Sequence, residues 1–72
     1  MFFNNLSRVC EEKGTTIWQV LKELGMSRAN GTAWKNGRIP NLATVIKIAG
    51  FLNTPVSELL KGDEENAETA ET

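Results

Sequence analysis

Apolar residues along this chain recur at helical spacing and never in sustained alternation. Residues 4–13 place Leu6, Val9 and Cys10 on one face. Residues 17–24 carry Ile17, Val20, Leu21 and Leu24, an i, i+3, i+4, i+7 stripe that marks an amphipathic helix. Residues 28–36 are mostly small or polar, with Trp34 on the side away from Arg28. Residues 42–52 repeat the helical spacing through Leu42, Val45, Ile46 and Ala49. Residues 55–61 form a last short segment. The pattern predicts five helices and no sheet.

The breaks agree with the stripes. Gly14, Gly25 and Gly37 follow the first three segments, where a left-handed residue commonly ends a helix. Thr16, Ser27, Asn41 and Thr54 precede the next segments and can cap their free N–H groups. Pro40 marks an extended loop, and Pro55 suits a first helical position. Short helices are marginal alone and gain stability by packing their apolar faces together. The expected fold is therefore all-α, a compact five-helix bundle.

Composition narrows the class. At 72 residues the chain holds one domain, and a domain this small buries only about 60% of its unfolded surface. Cys10 is the single cysteine, so no internal disulfide forms and nothing points to secretion. Met1-Phe2-Phe3 is not the basic start of a signal peptide, and no apolar run approaches the ~20 residues of a membrane span. A cytoplasmic protein is expected. The net charge of −1 hides two unlike parts. Residues 63–72 hold five acids and no base, whereas residues 1–62 hold eight bases and four acids, a balance of +4. The domain is thus expected over 1–62. The tail over 63–72 has no bulky apolar residue and reads as a disordered terminus or the start of a linker. The alternative is an acidic arm that competes for the basic face.

Residues 16–37, TIWQVLKELGMSRANGTAWKNG, carry the chemistry. The second helix stops at Leu24, Gly25-Met26-Ser27 makes the turn, and the third helix begins at once. A short turn containing glycine between two helices is the spacing of a helix-turn-helix. Met26 is the apolar plug and Ser27 the cap. At 100° per residue, Arg28, Ala29, Thr32, Ala33 and Asn36 share an arc of roughly 140°, with Gly31 and Trp34 opposite. A small, polar outward face with one arginine suits a helix lying in a DNA major groove. Arginine can grip guanine O6 and N7 together, and alanine can meet a thymine methyl. Lys35, Asn36 and Arg38 follow directly and suit phosphate contacts, as does the helix start at Thr16.

The run LKELGMSRANGTAWKNGRIPNLATVIKIAGFLNTPVSELLKG, preceded by Gly14-Thr15-Thr16, resembles the phage repressor/Cro-type helix-turn-helix family, also called the XRE family. Within it, the chain is most similar to N-terminal domains of repressors from phages and mobile elements of Gram-positive bacteria. The resemblance spans residues 5–61. It implies a lambda-repressor-like DNA-binding domain whose third helix reads the operator. It also implies a homodimer on two half-sites about one helical turn apart. Carried over by position, base-reading falls on Ser27, Arg28, Ala29 and Ala33, with Thr32 beside them. Backbone contact falls on Thr16, Ile17, Asn36 and Arg38. The chain departs from the family at five positions. Leu21 and Gly31 exchange the sizes common at these positions, so Leu21 is expected to fill the space beside Gly31. Gly31 should weaken its helix by about 0.5–1 kcal/mol relative to alanine. Cys10 and Lys35 replace an arginine–glutamate pair. Ile17 replaces a glutamine and has no side-chain hydrogen bond to offer a phosphate.

Other residues have plainer readings. Trp34 faces inward and belongs to the core. Trp18 lies beside the stripe of the second helix, where half-exposed surface packing is simpler than a DNA or partner contact. Cys10 on the apolar stripe reads as a buried, inert thiol. Phe2, Phe3 and Phe51 exceed what the stripes require; they cap the core or form a dimer surface. The chain has no histidine, no metal-ligand cluster and no phosphate-binding glycine loop. An enzyme is not expected, nor a cofactor, a metal, a small-molecule substrate or a membrane. The expected function is a sequence-specific transcriptional regulator, a repressor that occupies a double-stranded DNA operator. The alternatives are a DNA-binding antitoxin with a toxin partner, and a protein-interaction module that reads no DNA.

Overall fold

A computed structural model of the chain describes residues 1–62, so the acidic tail expected over 63–72 lies outside the described residues. Five helices follow one another: α1 (Phe2–Glu12), α2 (Ile17–Glu23), α3 (Arg28–Lys35), α4 (Leu42–Leu52) and α5 (Val56–Leu59). There is no strand among the described residues. The all-α bundle is therefore as expected.

Three of the expected caps form. Thr16 Oγ1 accepts from the Gln19 N–H at 3.2 Å, Ser27 Oγ from Ala29 at 3.1 Å, and Asn41 Oδ1 from Thr44 at 2.9 Å. Each satisfies one N–H that the first helical turn leaves without a partner. The fourth cap does not form. Pro55 itself stands before α5, at φ −65° and ψ 144°, and no side chain caps that helix. Thr54 is already engaged behind it: its N–H bonds Ala49 O at 3.0 Å and closes α4. Asn53 makes that closure possible by taking a left-handed φ of 53°.

α1 starts at Phe2, two residues before the stripe predicts. Phe2 is fully buried and meets Trp34 edge-on, with ring centroids 5.2 Å apart and planes at 84°. Phe2 is thus a core residue, Phe3 packs half-buried beside it, and Phe51 is exposed. α1 adds Leu6, Val9 and Cys10 to the core, and α2 adds Ile17, Val20 and Leu21. In α4 the predicted stripe is rotated. Val45, Ile48, Ala49 and Leu52 are buried, whereas Leu42 and Ile46 are 60% and 53% exposed. The buried arc centres on Val45 and Leu52, which leaves Leu42 and Ile46 on its rim.

α1 is the frame. It packs on α2, α3 and α5, and α4 packs on α5. Asn5 Nδ2 donates to Leu59 O at 3.0 Å and to Lys61 O at 2.7 Å, closing the end of α5 against α1. Arg8 pairs with Glu58 at 3.4 Å beside it. That pair is two-fifths exposed, so it contributes at most about 1 kcal/mol. With α1 and α5 tied together, α2 and α3 pack on α1 and on each other.

Candidate nucleic-acid interface

The turn between α2 and α3 sets the angle of the interface. Gly25 adopts φ +69°, which a Cβ would resist. The Met26 N–H then reaches Leu21 O at 2.8 Å, and the Gly25 N–H reaches Lys22 O at 3.1 Å. These two bonds close α2 and satisfy its last carbonyls. Met26 turns half-buried onto the core, and Ser27 starts α3 one residue later.

α3 divides cleanly. Gly31 and Trp34 are buried, and Arg28, Ala29, Thr32 and Asn36 are exposed. Ala33 is half-buried at the edge of the outward face. Ser27 is exposed, with its oxygen engaged as the cap. The Thr32 hydroxyl donates back to Arg28 O at 3.5 Å. Lys35, Asn36 and Arg38 are exposed around the C-terminal end of the helix. There the Arg38 N–H bonds Ala33 O at 3.0 Å and folds the loop back. Thr16 is exposed at the start of α2. Ile17 beside it is only 5% exposed, so its side chain belongs to the core and only its backbone remains near the surface.

Sequence reasoning missed the partnership of Trp18 with Arg28. The Arg28 guanidinium lies over the Trp18 ring, 5.1 Å from its centroid. The ring itself rests on Gly31. A Cβ placed at Gly31 would stand 2.5 Å from Trp18 Cζ3 and 3.0 Å from Leu21 Cδ1. Leu21 therefore fills the space beside Gly31 only in part, and Trp18 comes closer. The signal was available as a pair: a tryptophan at a surface position of one helix and a glycine inside the next. Thr16, Trp18, Gln19, Lys22, Met26 and Arg28 line a cleft at this junction, and its two charged groups are both cations.

Charge is segregated along the chain in a way that total charge conceals. No acid occurs between Glu23 and Glu58, while Arg28, Lys35, Arg38 and Lys47 do. α3 has no carboxylate to repel a polyanion. Phosphate attraction of this kind is long-ranged and independent of base sequence. No cluster of three or more histidine, cysteine, aspartate or glutamate residues that could hold a metal occurs among the described residues. None of the described helices is long and apolar enough to cross a membrane. Cys10 is buried, and burial pushes its thiol up to about 11.

Comparison with curated proteins found no match, and neither did comparison with solved structures. Comparison with protein families did. The model of the Cro/C1-type HTH DNA-binding domain matches residues 5–65, which include α2 to α5 and most of α1. A capped α3 following a glycine turn lies within the matched residues. The chain belongs to the Cro/C1-type helix-turn-helix DNA-binding domains.

Proposed function

We propose that this protein is a sequence-specific double-stranded DNA-binding regulator of transcription, and that it represses by occupying its operator as a homodimer. The observation that carries the reading is the outward face of α3. It is short, carboxylate-free and headed by Arg28. Such a face enters a major groove without clash. Arg28 grips guanine O6 and N7, worth about 1–3 kcal/mol against a wrong base. Ala29 and Ala33 meet thymine methyls, and Ser27 and Thr32 reach base edges or the adjacent phosphate. Thr16, the Ile17 backbone, Lys35, Asn36 and Arg38 hold the phosphates on either side and fix the register.

One copy has one such helix and reads one half-site, so a second copy completes the operator. Ile39, Leu42 and Ile46 are exposed on the loop and helix after α3 and give that second copy an apolar surface. Residues 1–62 act as the DNA-binding unit, and the acidic residues 63–72 as a tail or linker. The protein works in the cytoplasm.

The test is selection from a randomised duplex pool, followed by titration of the recovered site. The expected result is a pseudo-palindrome with half-sites about 10 base pairs apart, bound at least ~10³-fold more tightly than random duplex. Arg28→Ala should relax preference at one base pair of each half-site. A pool with no enriched sequence would overturn the reading and leave a module that binds protein. A specific complex that forms only with a toxin bound would favour the antitoxin.

A further inference from the structure

We infer that Trp18 is a positioning residue for Arg28, and that the ring on α2 thereby sets the base preference of a residue on α3. The inference rests on the proposed function, since it concerns the residue that reads the operator.

Three observations converge. The first is the cation–π contact itself: the Arg28 Cζ lies over the Trp18 ring, 5.1 Å from its centroid. A cation over an aromatic face is held by the ring's quadrupole and not by a hydrogen-bond acceptor. The contact therefore occupies none of the N–H donors with a protein acceptor, and the fork that matches guanine keeps its bonding capacity. The second is the absence of a competitor. Arg28 is exposed, and no carboxylate pairs with it among the described residues. Free in water, a long arginine side chain samples many rotamers and must be ordered when it binds. The ring restricts that search before DNA arrives.

The third is the seat. Gly31 has no positive φ to explain it and sits inside α3, where glycine weakens a helix. What it provides is space. A Cβ there would meet Trp18 Cζ3 at 2.5 Å and Cη2 at 3.1 Å. Residues three apart on a helix are neighbours, so a ring resting on Gly31 lies beside the stem of Arg28. Trp18 is seated with its ring edge against Gly31 and packs on the core, and the Arg28 guanidinium lies over its ring. The three residues form one device across two helices.

The experiment compares Arg28→Ala, Trp18→Ala and the double variant on the selected operator and on duplexes altered one base pair at a time. Trp18→Ala should lower discrimination about threefold to tenfold at the base pair that Arg28 reads, and leave preference elsewhere unchanged. In the Arg28→Ala background it should have no further effect on discrimination. Trp18→Phe, which keeps an aromatic face, should restore most of it. Gly31→Ala, which displaces the ring without removing it, should repeat the loss at the same base pair. An equal loss of affinity at every base pair, or additive losses in the double variant, would overturn the inference and make Trp18 a packing residue only. An Arg28→Ala variant that keeps full discrimination would instead overturn the base-reading role of Arg28, and the inference with it. The free protein gives a check independent of DNA. The ring current of Trp18 should shift the Arg28 side-chain protons upfield by NMR, and Trp18→Phe should reduce that shift. Arg28 protons at unperturbed positions in the native protein would overturn the inference whatever the variants do.

Discussion

Gly31→Ala separates local propensity from packing, and the two predict opposite signs. Alanine inside a helix is favoured over glycine by about 1 kcal/mol. That alone would stabilise α3. The added methyl, however, would stand 2.5 Å from Trp18 Cζ3 and 3.0 Å from Leu21 Cδ1. Leu21 is fully buried and can give little; Trp18 is half-exposed and must move. Forcing an extra carbon into a filled site costs about 1–3 kcal/mol. The balance is a loss of about 1 kcal/mol. Such a loss would lower the melting temperature of a domain this size by about 4–8 °C. Trp18→Ala removes the nearest obstacle. In that background only Leu21 Cδ1 at 3.0 Å must give, by a few tenths of an ångström, so Gly31→Ala should keep part of its propensity gain and stabilise the domain by up to about 0.5 kcal/mol. The assay is urea unfolding of the two single variants and the double variant, followed by far-ultraviolet circular dichroism. The sign reversal is the point of the measurement. If Gly31→Ala stabilises the native background as much as the Trp18→Ala background, the ring is not seated on Gly31, and the reasoning is wrong.

Other substitutions test the frame. Phe2→Ala should cost about 3–5 kcal/mol, because Phe2 is fully buried against Trp34; a loss under 1 kcal/mol in urea unfolding would place Phe2 outside the core. Asn53→Ala should cost about 1 kcal/mol, since φ +53° strains an alanine; an unchanged urea midpoint would mean that α4 ends otherwise. Cys10 predicts a pH dependence. Its thiol is raised by burial from 9.0 to about 11, so the unfolded chain loses this proton first. Stability should therefore fall as pH rises from about 9 towards 11 and level off above that. Cys10→Ala should lack this part of the decline, and identical alkaline profiles for the two proteins would refute it.

The sequence was most legible where structure depends on neighbours along the chain. The stripe Ile17, Val20, Leu21, Leu24 predicts α2, and the first three of its four positions are buried as the helical period requires. Thr16, Ser27 and Asn41 cap helices within three residues of themselves, so nothing distant can override them. The misses all involve choices made between elements. Phe2 has no periodic partner before it, and its burial is decided by Trp34 on α3. Leu42 and Ile46 fit a helical stripe, but the placement of α5 and α1 decides which rim of that stripe faces inward. Thr54 could serve either the end of α4 or the start of α5, and the backbone bond to Ala49 wins. Trp18, Gly31 and Arg28 looked unremarkable one at a time. Only the approach of α2 to α3 joins them.

The division of labour across the interface has a measurable consequence. On the proposed function, Arg28 reads a base while Lys35 and Arg38 hold phosphates, and the three cations flank one small-residue face. A phosphate contact releases counterions, so each one steepens the salt dependence of affinity by a slope of about 0.9. Lys35→Gln with Arg38→Gln should therefore flatten the plot of log affinity against log salt by about 2, while leaving the order of preferred operators unchanged. Arg28→Ala should do the reverse: relaxed preference at one base pair, with a smaller change in slope. Titrating both variants at several salt concentrations, on the selected operator and on random duplex, distinguishes the roles. Neutral replacements at Lys35 and Arg38 that leave the slope intact would mean these cations stand clear of the backbone. The register of α3 in the groove would then differ from the one proposed, because a helix seated with Arg28 on a base edge brings its C-terminal cations close to a phosphate strand.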